Sequence, residues 1–170
     1  QCDWSSDVCS SDLRAFRYLA LDHLQTRLHR WRLDLRTGRV REEQLTDTVT
    51  EFGMINGARA GRPYRYAWAA SGEPGRFLFN GLVRHDLRTG AEERLDFAPG
   101  VFGSETAMAP RAGGRDEDDG YLVTLTTDMN EDASFCLVLD AARLADGPVC
   151  TLRLPERISS GTQDRKSTRL

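Results

Sequence analysis

Short runs in which apolar and polar residues alternate occupy much of the chain. This alternation is seen in RWRLDL and VREEQL, and further apolar runs of strand length occur as RYAWAA, RFLFNGLV and YLVTLTTD. Alternation with a period of two is typical of half-buried β-strands. Only the segment ALDHLQTRLHRW can also be read at the helical period of about 3.6 residues, and a strand explanation competes there. The pattern therefore predicts an all-β fold.

A repeated pentapeptide divides the chain into units. The sequence DLRTG occurs at Asp34–Gly38 and again 52 residues later at Asp86–Gly90, each time between two strand-like runs. A degenerate third copy begins at Asp140, 54 residues after Asp86. An Asp side chain can fold back onto the turn backbone and Gly accepts a positive φ, so each copy predicts a β-hairpin.

The period of the repeat indicates the architecture. Units of roughly 50 residues with about four short strands each are typical of β-propeller blades, and a β-sandwich is the main alternative. The chain has room for about three such blades, whereas closed propellers have about four to eight. The sequence therefore predicts a partial β-propeller that belongs to a larger ring.

The two ends of the chain differ in composition from the rest. The only Lys is Lys166, and Ser residues crowd the first thirteen positions. The head lacks the basic region and the long apolar region of a signal peptide. We therefore interpret residues 1–13 and 163–170 as adapter-like foreign ends and residues 14–162 as the domain. The alternative is a natural disordered tail at each end.

Charge and cysteine content limit the expected partners. The net charge of −3 is spread over interspersed acidic and basic residues, which gives no reason to expect a nucleic acid or an anionic membrane as partner. No apolar stretch reaches the roughly 20 residues of a spanning helix, so we expect a soluble or at most peripheral protein. Cys136 and Cys150 lie in strand-like segments, where we expect buried, reduced thiols or a pair across one hairpin. The expected location is the cytoplasm.

Two glutamates follow the repeated turns at similar distances. Glu51, in TEFGMIN, comes 17 residues after Asp34, and Glu105, in GSETAMAP, comes 19 residues after Asp86. Both positions would begin the innermost strand of the next blade, which lines the central channel of a propeller. Carboxylates facing a channel axis are costly unless they are paired, hydrogen-bonded or close to a cation. The alternative is that each Glu is solvated or caps a turn.

Four motifs together resemble one enzyme family. The segments EFGMINGARAGRPYRYAWAA, GLVRHDLRTGAEERLDF, EDDGYLVTLTTD and LVLDAARLADGPVCTLRLPERISSGT are similar, in order and spacing, to the carotenoid cleavage oxygenases. That family includes lignostilbene dioxygenases and the retinal pigment epithelium isomerase, and the resemblance runs from Leu28 to Thr162. It implies a seven-bladed propeller with Fe(II) on its axis, held by four His. It also implies cleavage of a conjugated C=C bond by O₂ to give two carbonyl products.

The resemblance assigns roles to the two glutamates. Glu51 matches the Glu of the family's E-F-P-x-I-N motif, and Glu105 matches the Glu of its S/G-E-P segment. In the family these side chains accept hydrogen bonds from iron-ligating His residues, which fixes the imidazole tautomer and orientation. The chain departs from the motifs where Gly53 and Thr106 replace proline.

The iron ligands themselves are not expected in this chain. None of His23, His29 and His85 fits a ligand position, and each is interpreted as a surface or hairpin residue. The resemblance places one ligand directly after SSGT, where the chain has Gln163, and the other three before Arg14. We therefore expect Fe(II) only in a full-length parent and an inactive fragment.

The expected partners of that parent are an apolar polyene or stilbene and O₂, with possible peripheral membrane contact. A non-catalytic propeller that serves as a binding scaffold is the alternative function.

Two further motifs carry weaker signals. The acidic run RDEDDG lacks the ligand spacing of a Ca²⁺ loop and is interpreted as a solvated turn. The loops GARAG and RAGG lack the strand-then-helix context of a phosphate-binding loop.

Overall fold

The fold is all-β, as the alternation predicts. The structure is a computed structural model that describes residues 25–158. The described part contains ten strands: β1 His29–Leu33, β2 Val40–Gln44, β3 Thr50–Met54, β4 Tyr66–Gly72, β5 Phe79–Asp86, β6 Glu92–Asp96, β7 Val101–Pro110, β8 Gly120–Asp128, β9 Ala133–Asp140 and β10 Pro148–Arg153. Two single-turn 3₁₀ segments, Gly57–Arg59 and Leu144–Asp146, interrupt the loops. The segment read at a helical period lies partly outside the described residues, and its described end enters β1.

The strands form propeller-type units. Strands β3 to β6 pair in sequence order as one antiparallel four-stranded meander, and β7 to β10 form a second. The units meet through one pair, Phe79 with Gly103, between β5 and β7. Strands β1 and β2 form a separate hairpin, equivalent to the outer half of a preceding unit. The prediction of about three repeated units is confirmed as two complete blades and one outer hairpin.

The DLRTG turns have nearly the same geometry in both copies. The Asp34 carboxylate accepts hydrogen bonds from the amides two and three residues later at 2.9 and 3.1 Å, and Asp86 does so at 3.0 and 3.4 Å. The amide of Gly38 donates to the Asp34 carbonyl at 2.8 Å, and Gly90 repeats this with Asp86 at 2.8 Å. Both glycines have a positive φ, 67° and 76°. The hairpin prediction is therefore confirmed for the chemical reason given.

The hydrophobic core lies between the two complete blades. Trp68 and Leu82 from the first blade pack against Leu122 and Leu139 from the second, and each side chain is at most 1% exposed. The indole N–H of Trp68 donates to the carbonyl of Ala141 at 3.0 Å, so the buried polar atom is satisfied. Each such side chain contributes about 1.5–3 kcal/mol by leaving water. The core therefore fixes the two blades against each other.

Neither cysteine is buried, so the expectation of buried thiols from the sequence is wrong. Cys136 and Cys150 are free thiols, and Cys150 is exposed. Leu152 stands opposite Cys136 and Val138 stands opposite Cys150, so the two cysteines do not face each other across the hairpin. The exposure of Cys150 follows from its place in β10, which is an edge strand of the described sheet. Within residues 25–158, no helix has the length and apolarity needed to cross a membrane.

Candidate functional site

Glu51 lies on the first strand of the first complete blade, at a break in the strand register. It is the second residue of β3 and stands opposite Ala70, whereas Met54 stands opposite Trp68. One extra residue is therefore inserted between Glu51 and Met54, which is a β-bulge. Phe52 within the bulge has a φ of 54°, a left-handed conformation that is uncommon for an aromatic residue. Bulges bend a strand and re-aim the neighbouring side chains.

Glu105 lies on the equivalent strand of the second blade, and this strand also contains a bulge. Gly103 pairs with Thr126 and Thr106 with Thr124, so one extra residue is inserted around Glu105. The neighbouring Ser104 and Thr106 are buried, and Glu105 itself is partly exposed. The Glu105 carbonyl accepts a hydrogen bond from the Thr124 hydroxyl at 3.4 Å. Glu105 stands in the middle of β7 rather than at its start.

The two glutamate-bearing strands are neighbours. Strands β3 and β7 contact each other, although each pairs mainly within its own blade. Each is the first strand of a four-stranded unit, which is the innermost position of a propeller blade. Glu51 and Glu105 therefore lie on adjacent inner strands, each beside a bulge, and both are partly exposed. Such carboxylates can accept hydrogen bonds from donors that other segments supply.

The described residues do not form a metal site. Within residues 25–158, no group of three or more His, Cys, Asp or Glu side chains is placed to hold a metal ion. The Nδ1 atom of His29 lies 3.3 Å from a Glu42 oxygen on the partly exposed β1–β2 hairpin. His85 lies beside Glu92. An iron ion does not fit this set of side chains. His23 and Gln163 lie outside the described residues.

His85 is buried and lies in β5, one strand of the β5–β6 hairpin. Its interpretation as a hairpin residue is therefore correct, and its interpretation as a surface residue is wrong. Its residue is 4% exposed, and its Nδ1 atom lies 3.4 Å from a Glu92 oxygen. Burial lowers the pKa of His85, although the nearby Glu92 carboxylate opposes this shift. Burial would raise the pKa of Glu92, but hydrogen bonds from Thr46 and Thr48 lower it overall. No sequence motif could have indicated this polar cluster around the buried His85.

The interpretation of the acidic run RDEDDG as a solvated turn fits its exposed first residues, Arg115 and Asp116, but is wrong for Glu117 and Asp118. One carboxylate oxygen of Glu117 accepts hydrogen bonds from the backbone amides of Arg65 and Tyr66, both at 2.7 Å. The side-chain amide of Asn56 donates to the Glu117 carbonyl at 2.8 Å. The β7–β8 loop of the second blade is therefore clamped onto the β3–β4 connection of the first. We call these contacts the Glu117 clamp.

A second set of ion pairs extends the clamp. The guanidinium of Arg84 stacks on the ring of Tyr66, 4.0 Å from its centroid, and forms ion pairs with Glu93 at 3.3 Å and with Asp118. The Arg84 and Asp118 side chains are only about one-sixth exposed. Partly buried Arg–carboxylate pairs with this geometry are more persistent than exposed pairs. The two blades are therefore joined by polar contacts as well as by the core.

The family of the chain follows from its sequence match. A family model described as retinal pigment epithelial membrane protein (RPE65) matches residues 3–162. The chain therefore belongs to this family, the carotenoid cleavage oxygenases to which its motifs are similar.

Curated relatives of the chain support the same family. The chain is 30% identical over 156 residues to carotenoid 9,10(9',10')-cleavage dioxygenase 1 of Pisum sativum, a match covering 83% of this chain and 29% of the relative. It is 32% identical over 148 residues to lignostilbene-alpha,beta-dioxygenase isozyme III of Sphingomonas paucimobilis, covering 79% and 30%. The chain spans about three tenths of the length of the curated relatives it matches.

A solved structure confirms the propeller assignment. Cobalt-substituted apocarotenoid oxygenase of Synechocystis superimposes with a TM-score of 0.77 at 29% identity, covering 84% of this chain and 30% of that chain. The described strands therefore form part of a seven-bladed propeller fold.

Proposed function

We propose that the chain is part of a non-haem Fe(II) dioxygenase that cleaves a conjugated C=C bond of a carotenoid, apocarotenoid or stilbene with O₂. The two products are carbonyl compounds. The observation that carries this proposal is the match to relatives named for carotenoid and lignostilbene cleavage, over about four-fifths of the chain. Because the match covers about three tenths of each relative, the activity is proposed for the complete protein.

Glu51 and Glu105 have the proposed role of holding imidazole groups in place. Each carboxylate accepts the N–H of a His that a different segment of the complete protein supplies. This hydrogen bond selects the tautomer whose other nitrogen is free to bind a metal, and it makes that nitrogen more basic. Support comes from the position of both residues on adjacent inner strands, each at a bulge that re-aims side chains.

The metal is proposed to belong to the complete protein. Held by His residues of the complete protein, Fe(II) would supply the chemistry that activates O₂. In this proposal the chain contributes the surrounding carboxylates, and other segments of the complete protein contribute the metal ligands. We therefore expect the isolated 170-residue chain to bind no iron and to have no dioxygenase activity.

The test uses the complete reading frame that contains this chain, recovered by long-read sequencing across both ends. The expressed protein is assayed for iron content by mass spectrometry and for cleavage of an apocarotenoid and a stilbene by chromatography. Replacing Glu51→Gln or Glu105→Gln should lower iron occupancy or activity by roughly 10 to 100-fold. Glu156→Gln is the matched control, because Glu156 is exposed and lies outside the inner strands.

The possible outcomes separate the two functions. Iron binding with cleavage of either substrate supports the dioxygenase. A complete protein that lacks four His on inner strands and yields no product would favour the binding scaffold. Iron occupancy that is unchanged in both glutamine variants would contradict the role given to the glutamates while leaving the dioxygenase itself intact.

A further inference from the structure

A cleft lies where the first inter-strand loops of the two blades meet. One wall comes from the β3–β4 connection and the other from the β7–β8 loop, and the cleft encloses about 240 Å³. Four arginines line it: Arg59 and Arg62 on the first wall, and Arg111 and Arg115 on the second. These arginines belong to the glycine-containing loops GARAG and RAGG and to the residues beside them, which the proposed function does not use.

The positive charge of the cleft is only partly neutralised. Arg111 forms an ion pair with Asp119 at 2.6 Å and donates a hydrogen bond to the Tyr121 hydroxyl at 2.6 Å. Arg59, Arg62 and Arg115 form no ion pair within the part of the chain that the structure describes. Asp116 is the remaining acidic residue of the lining. The lining therefore carries an excess of two positive charges.

The walls of the cleft are held in place before any ligand binds. Asn56, which is 5% exposed, also lines the cleft and joins its two walls through the hydrogen bond to the Glu117 carbonyl. The Glu117 carboxylate fixes the far end of the first wall by accepting two backbone amides. A prearranged site loses less free energy to ordering when a ligand enters.

We propose that this cleft binds a phosphate group, either of a small soluble phosphate ester or of a phospholipid headgroup. Guanidinium groups are planar and donate paired hydrogen bonds that match the oxygens of phosphate. Recognition is by arginine side chains and not by a glycine-rich backbone cradle, which is consistent with the absence of that motif. The lining of the cleft does not include Glu51 or Glu105, so phosphate binding can be tested independently of the dioxygenase proposal.

The first test titrates inorganic phosphate into the monomeric fraction of the 170-residue chain and follows binding by calorimetry. The double variant Arg62→Gln/Arg115→Gln should bind at least about tenfold more weakly, because it removes two guanidinium groups that donate charge-assisted hydrogen bonds to the phosphate oxygens. The variant Asp116→Asn should bind more tightly, because it removes the unpaired negative charge. The control Arg36→Gln/Arg88→Gln removes the same two charges from the exposed β1–β2 and β5–β6 turns and should leave binding unchanged.

The gain expected from Asp116→Asn protects the test from folding artefacts, since a misfolded variant would not bind more tightly. Added salt should weaken binding by the wild-type chain. Absence of saturable binding, or equal loss in the Arg36→Gln/Arg88→Gln control, would overturn the proposal.

A second arm separates the two phosphate sources. Sedimentation with phosphatidylglycerol vesicles is compared with sedimentation with phosphatidylcholine vesicles, each with and without competing inorganic phosphate. Vesicle binding that requires Arg62 and Arg115 and is competed by phosphate identifies a lipid headgroup. Phosphate binding without vesicle binding identifies a soluble ester. Vesicle binding that survives the double arginine substitution and is accompanied by no phosphate binding would overturn the site.

Discussion

The environment of a residue in this fold depends on what packs over its hairpin. His85 and Leu33 each immediately precede the Asp of a DLRTG turn, so they occupy equivalent positions in the repeat. Leu33 is 65% exposed, whereas His85 is 4% exposed and lies against Glu92. The polar residue is thus buried and the apolar one is exposed. Thr46 and Thr48, from the connector after β2, donate hydrogen bonds to Glu92, so this connector lies against the second hairpin.

We expect the burial of His85 to make stability depend on pH. The pKa of His85 in the folded chain lies below its usual value of 6.5, chiefly because burial disfavours the charged ring. The unfolded chain therefore binds the proton more readily than the folded chain does. The free energy of unfolding is highest above about pH 6.5, and the part of it that depends on neutral His85 decreases as the pH falls below that value. Urea unfolding at pH 7.5 and pH 5.5 measures this loss.

Substitutions assign this pH dependence to one residue. The groups that face His85 are Glu92 and Arg94, and the pKa of Glu92 is itself lowered from 4.5, so its own contribution is lost only at more acidic pH. In His85→Leu the difference between pH 7.5 and pH 5.5 should shrink. In His29→Leu, on the exposed hairpin, it should persist. An equal pH difference in His85→Leu and wild type would show that another group titrates in this window.

At the scale of the elements, a loop and not a strand joins the two blades most specifically. The Glu117 clamp reaches from the β7–β8 loop to backbone amides at the start of β4, and Asp118 beside it pairs with Arg84 on β5. Without Glu117 these amides would lack the acceptor that they have in the folded chain. The loop therefore contributes to the stability of the first blade, although it belongs to the second.

The clamp predicts an ordered series of stabilities. Glu117→Ala removes the acceptor of both partly buried amides and should lower the free energy of unfolding by about 1–3 kcal/mol, the cost of leaving such donors unpaired. Glu117→Gln keeps a carbonyl oxygen at the same position and should lose less. Asp116→Ala, one residue earlier and exposed, should change stability by no more than about 0.5 kcal/mol. Chemical denaturation measures the free energy of unfolding of all three variants. An equal effect of Glu117→Ala and Asp116→Ala would show that the Glu117 clamp makes no specific contribution to stability.

Local sequence predicts the hairpins of this fold but not the contacts between blades. The DLRTG turns are predictable because Asp and Gly satisfy the turn within five residues, and β3 and β7 are predictable from the repeat. The partners of Glu117 lie 52 and 51 residues away along the chain. No periodicity encodes such a pairing, so the acidic run is read as solvated. The bulges beside Glu51 and Glu105 are equally hidden, because they depend on the register of a neighbouring strand.

At the scale of the whole molecule, the two strands at the ends of the described strand order, β3 and β10, have open edges. Strand β10 pairs with β9, and β3 pairs with β4, and in the described part neither has a strand on its other side. All six residues of β10 are exposed, including Val149 at 57% and Leu152 at 54%. Unpaired strand edges with exposed apolar side chains are templates for pairing with another chain.

We therefore expect the 170-residue chain to self-associate with increasing concentration through β10. Charged side chains on an edge strand oppose such pairing, so the double variant Val149→Lys/Leu152→Lys should shift sedimentation velocity profiles toward monomer. The double variant Pro74→Lys/Ala98→Lys adds the same charge in exposed loops and should associate like the wild type. If both variants shift equally, net charge and not the edge controls association. A wild-type chain that remains monomeric at about 100 μM, well inside the concentration range in which exposed edges aggregate, would show that this edge is already protected.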